Sequence, residues 1–435
     1  MQIKIKSLEP AALFLSALVL LFAIPFSRGL IGKPFLYGQQ TYHSLASGSQ
    51  SFYSSLLKLP GNNPLMFQLC LGLGFLVGLY LLIRVLSAGL ESYAVLFAMF
   101  SPGTLHVFSN LLADGLALFC LVWGIFFFFK QRPFISTLFL LMGFAASPWY
   151  MLGGLVLIWV YFIIKQRSLQ FPVFMSLAAL VIFLLLDFRI EISQLATTQV
   201  ITNLVFELGG PSGFSLITLL LAVIGFFATY KAFKELATVY VYSALAFIGM
   251  YLFGTSPLVF LFIIPVLAAY TIQLLLKRKW VLQSLKYITL LLIVLGVVLS
   301  ASFSIVWAVS QSPDKEMELA LAELAKLPVG NVLSSPAYGA FISYGAQKPI
   351  VADSLVSDAI LLNETETIFA SRDLKKARVF FLAHNVSYLF ISPEMRSGLV
   401  WNEPEEGLLF LLRNNQTFAK EYTYKGFEIW KIKNP

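Results

Sequence analysis

Apolar residues over the first 310 positions fall into long runs separated by short polar connections. About eleven runs read as membrane-spanning helices, at 10–27, 65–84, 92–108, 113–129, 134–149, 151–164, 171–187, 214–230, 237–253, 257–276 and 284–309. A hydrocarbon core about 30 Å thick needs about 20 helical residues, so several of these spans are short. Ser147-Pro148 is placed to break a helix between the fifth and sixth runs. Two connections are long, 28–64 and 188–213, and the second ends in Gly209-Gly210-Pro211-Ser212-Gly213. Long ordered loops are usually functional.

From Gln311 the pattern becomes that of a water-soluble domain. Ser312-Pro313-Asp314 reads as a helix start, followed by an amphipathic stretch over Lys315–Leu327. Strands are predicted at Val332–Ser335, Pro349–Asp353 and Ser387–Ile391, and helices at Tyr338–Tyr344, Glu364–Ala370, Arg372–His384 and Glu405–Arg413. Phe418–Tyr424 and Phe427–Ile432, joined at Lys425-Gly426, read as a β-hairpin. Alternating strands and helices predict a small α/β sandwich. The expected architecture is a polytopic α-helical membrane bundle over 1–310 with a C-terminal extracytoplasmic α/β domain over 311–435.

Composition agrees with that division. Hydrophobic residues make up 58% of the chain and charged residues 12%, against roughly 45–50% and about 25% in soluble globular domains, so the apolar surplus calls for lipid. The net charge of +8 is not spread evenly: residues 1–310 hold 17 Lys/Arg against 7 Asp/Glu, and residues 311–435 hold 13 against 15. Lys4 and Lys6 at the N-terminus, Arg84, Lys130 with Arg132, Lys165 with Arg167, Lys231 with Lys234, and the Lys277–Lys286 group occupy alternate connections. Such alternation marks the cytoplasmic side. It excludes a nucleic-acid-binding face, and an odd number of spans then puts the N-terminus in the cytoplasm and 311–435 outside. The expected location is a cell membrane, crossed many times. Ile24-Pro25-Phe26-Ser27-Arg28 lacks a small-x-small cleavage site, so the first run reads as an uncleaved span. Cys70 and Cys120 lie inside apolar runs and imply neither a disulfide framework nor a zinc site.

The sequence has no P-loop, dinucleotide fingerprint, His-Glu-x-x-His or Gly-x-Ser-x-Gly, which argues against an ATP-driven pump or a soluble-type hydrolase. Charged and titratable residues at span ends are therefore the chemistry to weigh. His106 ends the third run and Asp114 opens the fourth, both on the predicted outer side. They read either as an acid/base or ligand-binding pair, or as an interfacial histidine and a helix cap. Gln39, Gln40, Tyr42 and His43 combine rings and amides suited to a sugar, or to a loop lying along the membrane surface. Arg189 either holds a lipid phosphate or pairs with Asp187 and Glu191. Asn363, Asn385 and Asn415 head Asn-x-Ser/Thr sequons on the predicted outer side.

Several stretches carry a family resemblance. They are the first-loop segment Arg28 to His43, the segment Phe100-Ser101-Pro102 with Asn110 to Phe119 around Asp114, and the segment Ser335 to Asp353 through Tyr338-Gly339 and Lys348-Pro349. In layout and in these stretches the chain resembles the C-type glycosyltransferase superfamily, and within it the archaeal membrane proteins related to the catalytic subunit of oligosaccharyltransferase. The resemblance implies transfer of a sugar from a polyprenyl-phosphate-linked donor to an acceptor at the outer face. It implies membrane lipid and other glycosylation subunits as partners, with Asp114 or His43 as base, Arg189 as phosphate clamp, and His106, Gln39, Gln40, Tyr42 and Tyr338 as substrate contacts.

A divalent cation is usual in the family, but residues 28–64 contain no Asp or Glu, and Gln39-Gln40 stand where the family's acid is expected. An amide neither accepts a proton as a general base nor binds a cation as a carboxylate does. Ala337 likewise replaces an expected Asp before Tyr338. Two readings follow: a divergent transferase, or a degenerate relative acting as a lipid-glycan-binding or accessory subunit. A lipid-sugar flippase would call for charges near the bilayer midplane, whereas the acids of 1–310 lie at run ends or in connections.

Overall fold

The computed structural model describes residues 10–46, 64–147, 197–229 and 257–433, apart from 88, 211, 356, 358 and 404, with scattered positions in 154–177 and 240–251. The chain divides into two compact units. One comprises Met1–Ser27 and Ser51–Ser310, the other Arg28–Gln50 and Gln311–Pro435. The front of the first long connection therefore packs with the C-terminal residues.

The first unit is helical. In chain order its elements, with the loop helix of the other unit, are α1 (Pro10–Leu30), α2 (Gln39–Ala46, in the second unit), α3 (Pro64–Leu86), α4 (Glu91–Met99), α5 (Pro102–Ser109), α6 (Ala113–Phe129), α7 (Pro133–Ala146), α8 (Thr197–Leu204), α9 (Leu216–Ala228), α10 (Ile263–Lys277) and α11 (Gln283–Ser310). Among the described residues, α1, α3 and the helix beginning at Gln283 are long and apolar enough to cross a membrane, and α5 with α6 qualify together as a pair bent by 115°. The third and fourth predicted spans thus meet at a sharp break. The predicted spans at 151–164, 171–187 and 237–253 lie largely outside the described residues.

Lipid removes the hydrophobic drive for helices to pair, so close contacts and polar links hold the bundle. Ser136 on α7 donates to the Gly124 carbonyl on α6 at 2.8 Å, Thr271 on α10 donates to the Leu221 carbonyl on α9 at 2.7 Å, and the Trp123 indole donates to the Gly74 carbonyl on α3 at 3.0 Å.

The second unit is α/β. Its further elements are α12 (Lys315–Lys326), β1 (Asn331–Leu333), α13 (Gly339–Gly345), α14 (Ala359–Ala370), α15 (Leu374–Ala383), β2 (Val386–Ile391), α16 (Leu408–Leu411), β3 (Phe418–Tyr424) and β4 (Phe427–Ile432). The sheet order is β1-β2-β4-β3, with β1 parallel to β2 and the other pairs antiparallel. Asp314 caps α12, its carboxylate accepting from the Met317 amide at 2.7 Å. Buried Lys348 donates to the carbonyls of Leu327 and Pro328, each at 2.8 Å, at the other end of that helix. Glu428, buried on β4, meets Arg396 at 2.7 Å and Lys420 at 2.9 Å and accepts from the Trp430 indole at 2.8 Å.

Two predicted elements shrink. The strand expected at 349–353 is a single bridge, Val332 to Ile350; the Asp353 amide, which would carry the ladder onward, instead donates to Ser357 Oγ at 2.8 Å. The helix expected at 405–413 is only Leu408–Leu411. Gly407 sits at φ 54°, and a side chain there would run into the Phe369 backbone.

Arg28 organises the first loop. It is fully buried. Its Nε donates to the Pro34 carbonyl at 2.7 Å, Nη1 to Gln311 at 2.8 Å, and Nη2 to Pro313 at 2.8 Å and to Leu36 at 3.5 Å. The guanidinium lies 5.2 Å from the centre of the Tyr37 ring. The Gly38 amide adds a bond to the Ser312 carbonyl at 3.0 Å. Five fixed donors in one plane suit this gathering of carbonyls from two segments, and lysine cannot reproduce it. Arg28→Lys is expected to destabilise the second unit by about 2 kcal/mol or more, since buried acceptors lose charged donors. A thermal unfolding scan in detergent that gives the wild-type midpoint for this variant would show that the clamp is dispensable.

Candidate functional site

The bend between α5 and α6 follows from local sequence. Pro102 occupies the first turn of α5, where its missing amide hydrogen costs nothing. Asn110 is extended (φ −115°, ψ 157°), as is Leu112 (φ −103°, ψ 133°), and α6 restarts at Ala113. A chain that leaves the helix inside an apolar bundle frees backbone carbonyls that lipid cannot satisfy. Gln68 of α3, fully buried, donates its amide to Val107 O at 2.9 Å and to Leu112 O at 3.2 Å. Asn110 Nδ2 donates to His106 O at 3.0 Å, and Ser109 Oγ donates to Leu105 O. Gly115 makes room for Gln68, whose amide occupies the space that a β-carbon at 115 would need.

His106 and Asp114 flank this bend. His106 is on the last turn of α5, with Nδ1 3.2 Å from Asn110 Nδ2 and its ring edge-on to Trp307 of α11 at 5.7 Å. Asp114, partly exposed, lies in the first turn of α6, where the helix dipole favours a carboxylate. The glycine-rich end of the second long loop also packs here. The Gly103 amide of α5 donates to Gly213 O at 3.0 Å, and Glu207 accepts from Leu216 N at 3.0 Å, capping α9.

The first-loop candidates sit in the second unit. Gln39 uses both ends of its amide: Nε2 donates to Ala337 O, and Oε1 accepts from Ser354 Oγ at 2.8 Å. Gln40 is exposed and His43 partly so. Tyr42 is buried against Phe341 and Tyr344, at 4.9 and 5.5 Å between ring centres. Tyr338 is also buried, and its hydroxyl donates to Glu394 at 2.9 Å. Burial raises the pKa of both phenols, so both stay protonated at neutral pH. Both rings belong to the core of this unit. Glu318 is raised by burial as well, with the Arg28 charge opposing the shift. Arg189, Asp187 and Glu191 lie outside the described residues.

Asp114 and His43, the two expected bases, belong to different units. Among the described residues no three of His, Cys, Asp and Glu stand together as cation ligands. No step is assigned to a divalent cation. Sequence reading passed over Gln68 and Asn110. Gln68 carried a signal, since it is an amide inside an otherwise apolar run. Asn110 carried none, because its partner is fixed only once the helix breaks.

Solved structures share this fold. The chain is similar to the oligosaccharyltransferase AglB of Archaeoglobus fulgidus, in complex with an inhibitory peptide and a dolichol-phosphate, with a TM-score of 0.63 and 11% identity over 97% of this chain and 74% of that one. It is similar to the arabinofuranosyltransferase AftD from Mycobacteria, with a TM-score of 0.58 and 12% identity over 97% of this chain and 39% of that one. It is similar to ArnT from Cupriavidus metallidurans, bound to undecaprenyl phosphate, with a TM-score of 0.54 and 12% identity over 97% of each chain. No family model matches the chain, and no curated protein matches it. The fold is the one that these solved structures share. The chain is a multi-pass membrane protein.

The bend makes a stability prediction. Gln68→Leu, close in size and unable to donate, takes a donor from two buried carbonyls, of which Leu112 O keeps the Gly115 amide at 3.1 Å, and is expected to cost about 1–3 kcal/mol. Gly115→Ala, which displaces the same amide, is expected to lower the thermal midpoint in parallel. Unchanged midpoints for both variants would remove Gln68 from the account.

Proposed function

We propose that the chain is a membrane glycosyltransferase that moves a sugar from a polyprenyl-phosphate-linked donor to an acceptor at the outer face. The observation that carries this reading is Asp114, a carboxylate in the first turn of a helix that restarts after a 115° bend, in a C-type glycosyltransferase fold. Support for the donor class comes from the relatives, which hold dolichol-phosphate or undecaprenyl phosphate. The alternating Lys and Arg connections support about eleven spans, a cytoplasmic N-terminus and an outer location for 311–435.

In this reading an acceptor hydroxyl or amide attacks the anomeric carbon. The bond from that carbon to the phosphate oxygen breaks, and the lipid phosphate leaves with the electron pair. The acceptor's proton passes to the Asp114 carboxylate. His43, partly exposed on α2, is the second candidate base. Arg189 is proposed as a clamp on the phosphate.

One observation favours a second reading, that of a non-catalytic lipid-glycan-binding or accessory subunit. The Gln39 side chain, at the position of the family's expected acid, is engaged at both ends within its own unit. A transfer assay with a polyprenyl-phosphate sugar separates the two. Asp114→Asn is expected to lower kcat by about 100-fold or more with the donor still bound. Wild-type protein that binds polyprenyl phosphate and transfers nothing, in company with a co-purifying transferase, would favour the accessory reading.

A further inference from the structure

We infer that the α10–α11 connection is a binding surface for the headgroups of anionic phospholipids in the surrounding bilayer, with Lys277, Arg278 and Lys279 supplying the charge and Val281 and Leu282 entering the acyl region. The inference rests on the chain's being a membrane protein and not on the transferase reading.

The connection is short and held at both ends. Residues 278–282 join Lys277, the last residue of α10, to Gln283, the first of α11. The last turn of a helix leaves carbonyls without intrahelical donors. Trp280 Nε1 donates to Leu275 O at 2.9 Å, and Lys286 Nζ of α11 donates to Leu276 O at 3.1 Å. The Arg278 guanidinium lies 5.8 Å from the centre of the Trp280 ring. Lys286 thus serves the negative end of the α10 dipole, and that need is met without the three cations before it.

Those three cations have no acid to answer them. The sequence contains no Asp or Glu between Glu235 and Asp314. Lys277, Arg278 and Lys279 are exposed and form no ion pair among the described residues. Adjacent like charges repel, and an anion between them relieves the repulsion.

The neighbouring apolar residues set the depth of the site. Val281 is fully exposed and Leu282 more than half so. Leu285, Ile288, Leu292 and Leu295 follow at helical spacing on α11, all about half exposed. On a helix long and apolar enough to cross a membrane, such a stripe is the lipid-contacting one. Val281 and Leu282 continue it to its end, and the cations stand immediately beyond. Trp280, half-buried with its ring nitrogen bonded, is a side chain suited to the membrane–water boundary. The cations therefore lie at headgroup depth. A zwitterionic headgroup brings its own ammonium, which competes with Lys and Arg for the phosphate, whereas an anionic headgroup brings none. Each Lys or Arg beside an anionic surface strengthens the attraction by about fivefold.

The test is fluorescence quenching of the full chain in phosphatidylcholine vesicles that contain a minor fraction of either brominated phosphatidylglycerol or brominated phosphatidylcholine. The chain has seven tryptophans, and the Trp280 signal is the difference between the wild type and Trp280→Phe, which keeps a ring beside Arg278. The ratio of the two lipids' binding constants at Trp280 is expected to favour phosphatidylglycerol by about fivefold or more, and to fall as salt is added. Lys277→Gln, Arg278→Gln and Lys279→Gln together are expected to abolish the preference. Lys130→Gln with Arg132→Gln, at another connection, is expected to leave it unchanged. A second measurement does without Trp280→Phe: native mass spectrometry of protein released from mixed vesicles is expected to show phosphatidylglycerol retained by the wild type and lost from the triple variant. Equal quenching by the two lipids in the wild type overturns the inference, as does a preference that survives removal of all three cations. Displacement of the brominated lipid by undecaprenyl phosphate but not by unbrominated phosphatidylglycerol overturns it too, since the surface would then belong to the polyprenyl lipid.

Discussion

A polypeptide that turns through 115° inside an apolar bundle must satisfy, from within the protein, every polar backbone group that the turn releases. The structure meets this requirement at the α5–α6 bend with the Gln68 amide, which reaches from α3 to two carbonyls, and with the side chains of Asn110 and Ser109. Gly115 is part of the same solution, because the helix must restart without a side chain where Gln68 enters. Asp114 is held at the beginning of α6 only while this arrangement stands. The bend thus sets together a helix N-terminus and the last turn of another helix, with an acid on one and a histidine on the other.

The second unit is organised by a comparable device. Arg28 collects carbonyls from 34–36 and 311–313, so the loop after α1 and the chain after α11 form one body. Gln39 extends the connection to Ala337 and Ser354. A carboxylate at position 39 would keep the bond from Ser354 and lose the donor to Ala337. The residue that departs from the family pattern therefore has a definite structural task, and the chemistry of the proposed reaction is placed on Asp114.

Much of the architecture was legible in the sequence because it rests on local rules. The apolar runs at 10–27, 65–84 and 284–309 correspond to α1, α3 and α11, and Lys425-Gly426 turns the β3–β4 hairpin as a two-residue connection should. The helix at Lys315–Lys326 begins at Asp314, whose cap was readable from the residue type. What failed was set by distant or special backbone. The strand at 349–353 lost the Asp353 amide to the Ser357 hydroxyl, and the helix at 405–413 lost its first turn to Gly407 at positive φ. The candidate site was half visible. His106 and Asp114 stood out as titratable groups at run ends, while Gln68 and Asn110 acquire meaning only through side-chain-to-backbone bonds that no periodicity announces.

If the proposed transfer is made at Asp114, a lipid-linked donor is bound beside the bend between α5 and α6. A photoreactive diazirine placed beside the phosphate of a polyprenyl phosphate, crosslinked to the full chain in a lipid nanodisc and mapped by mass spectrometry, tests it directly. The account predicts adducts within residues 104–116, suppressed by excess unlabelled undecaprenyl phosphate. Competable adducts confined to other parts of the chain, with none in that segment, would contradict it.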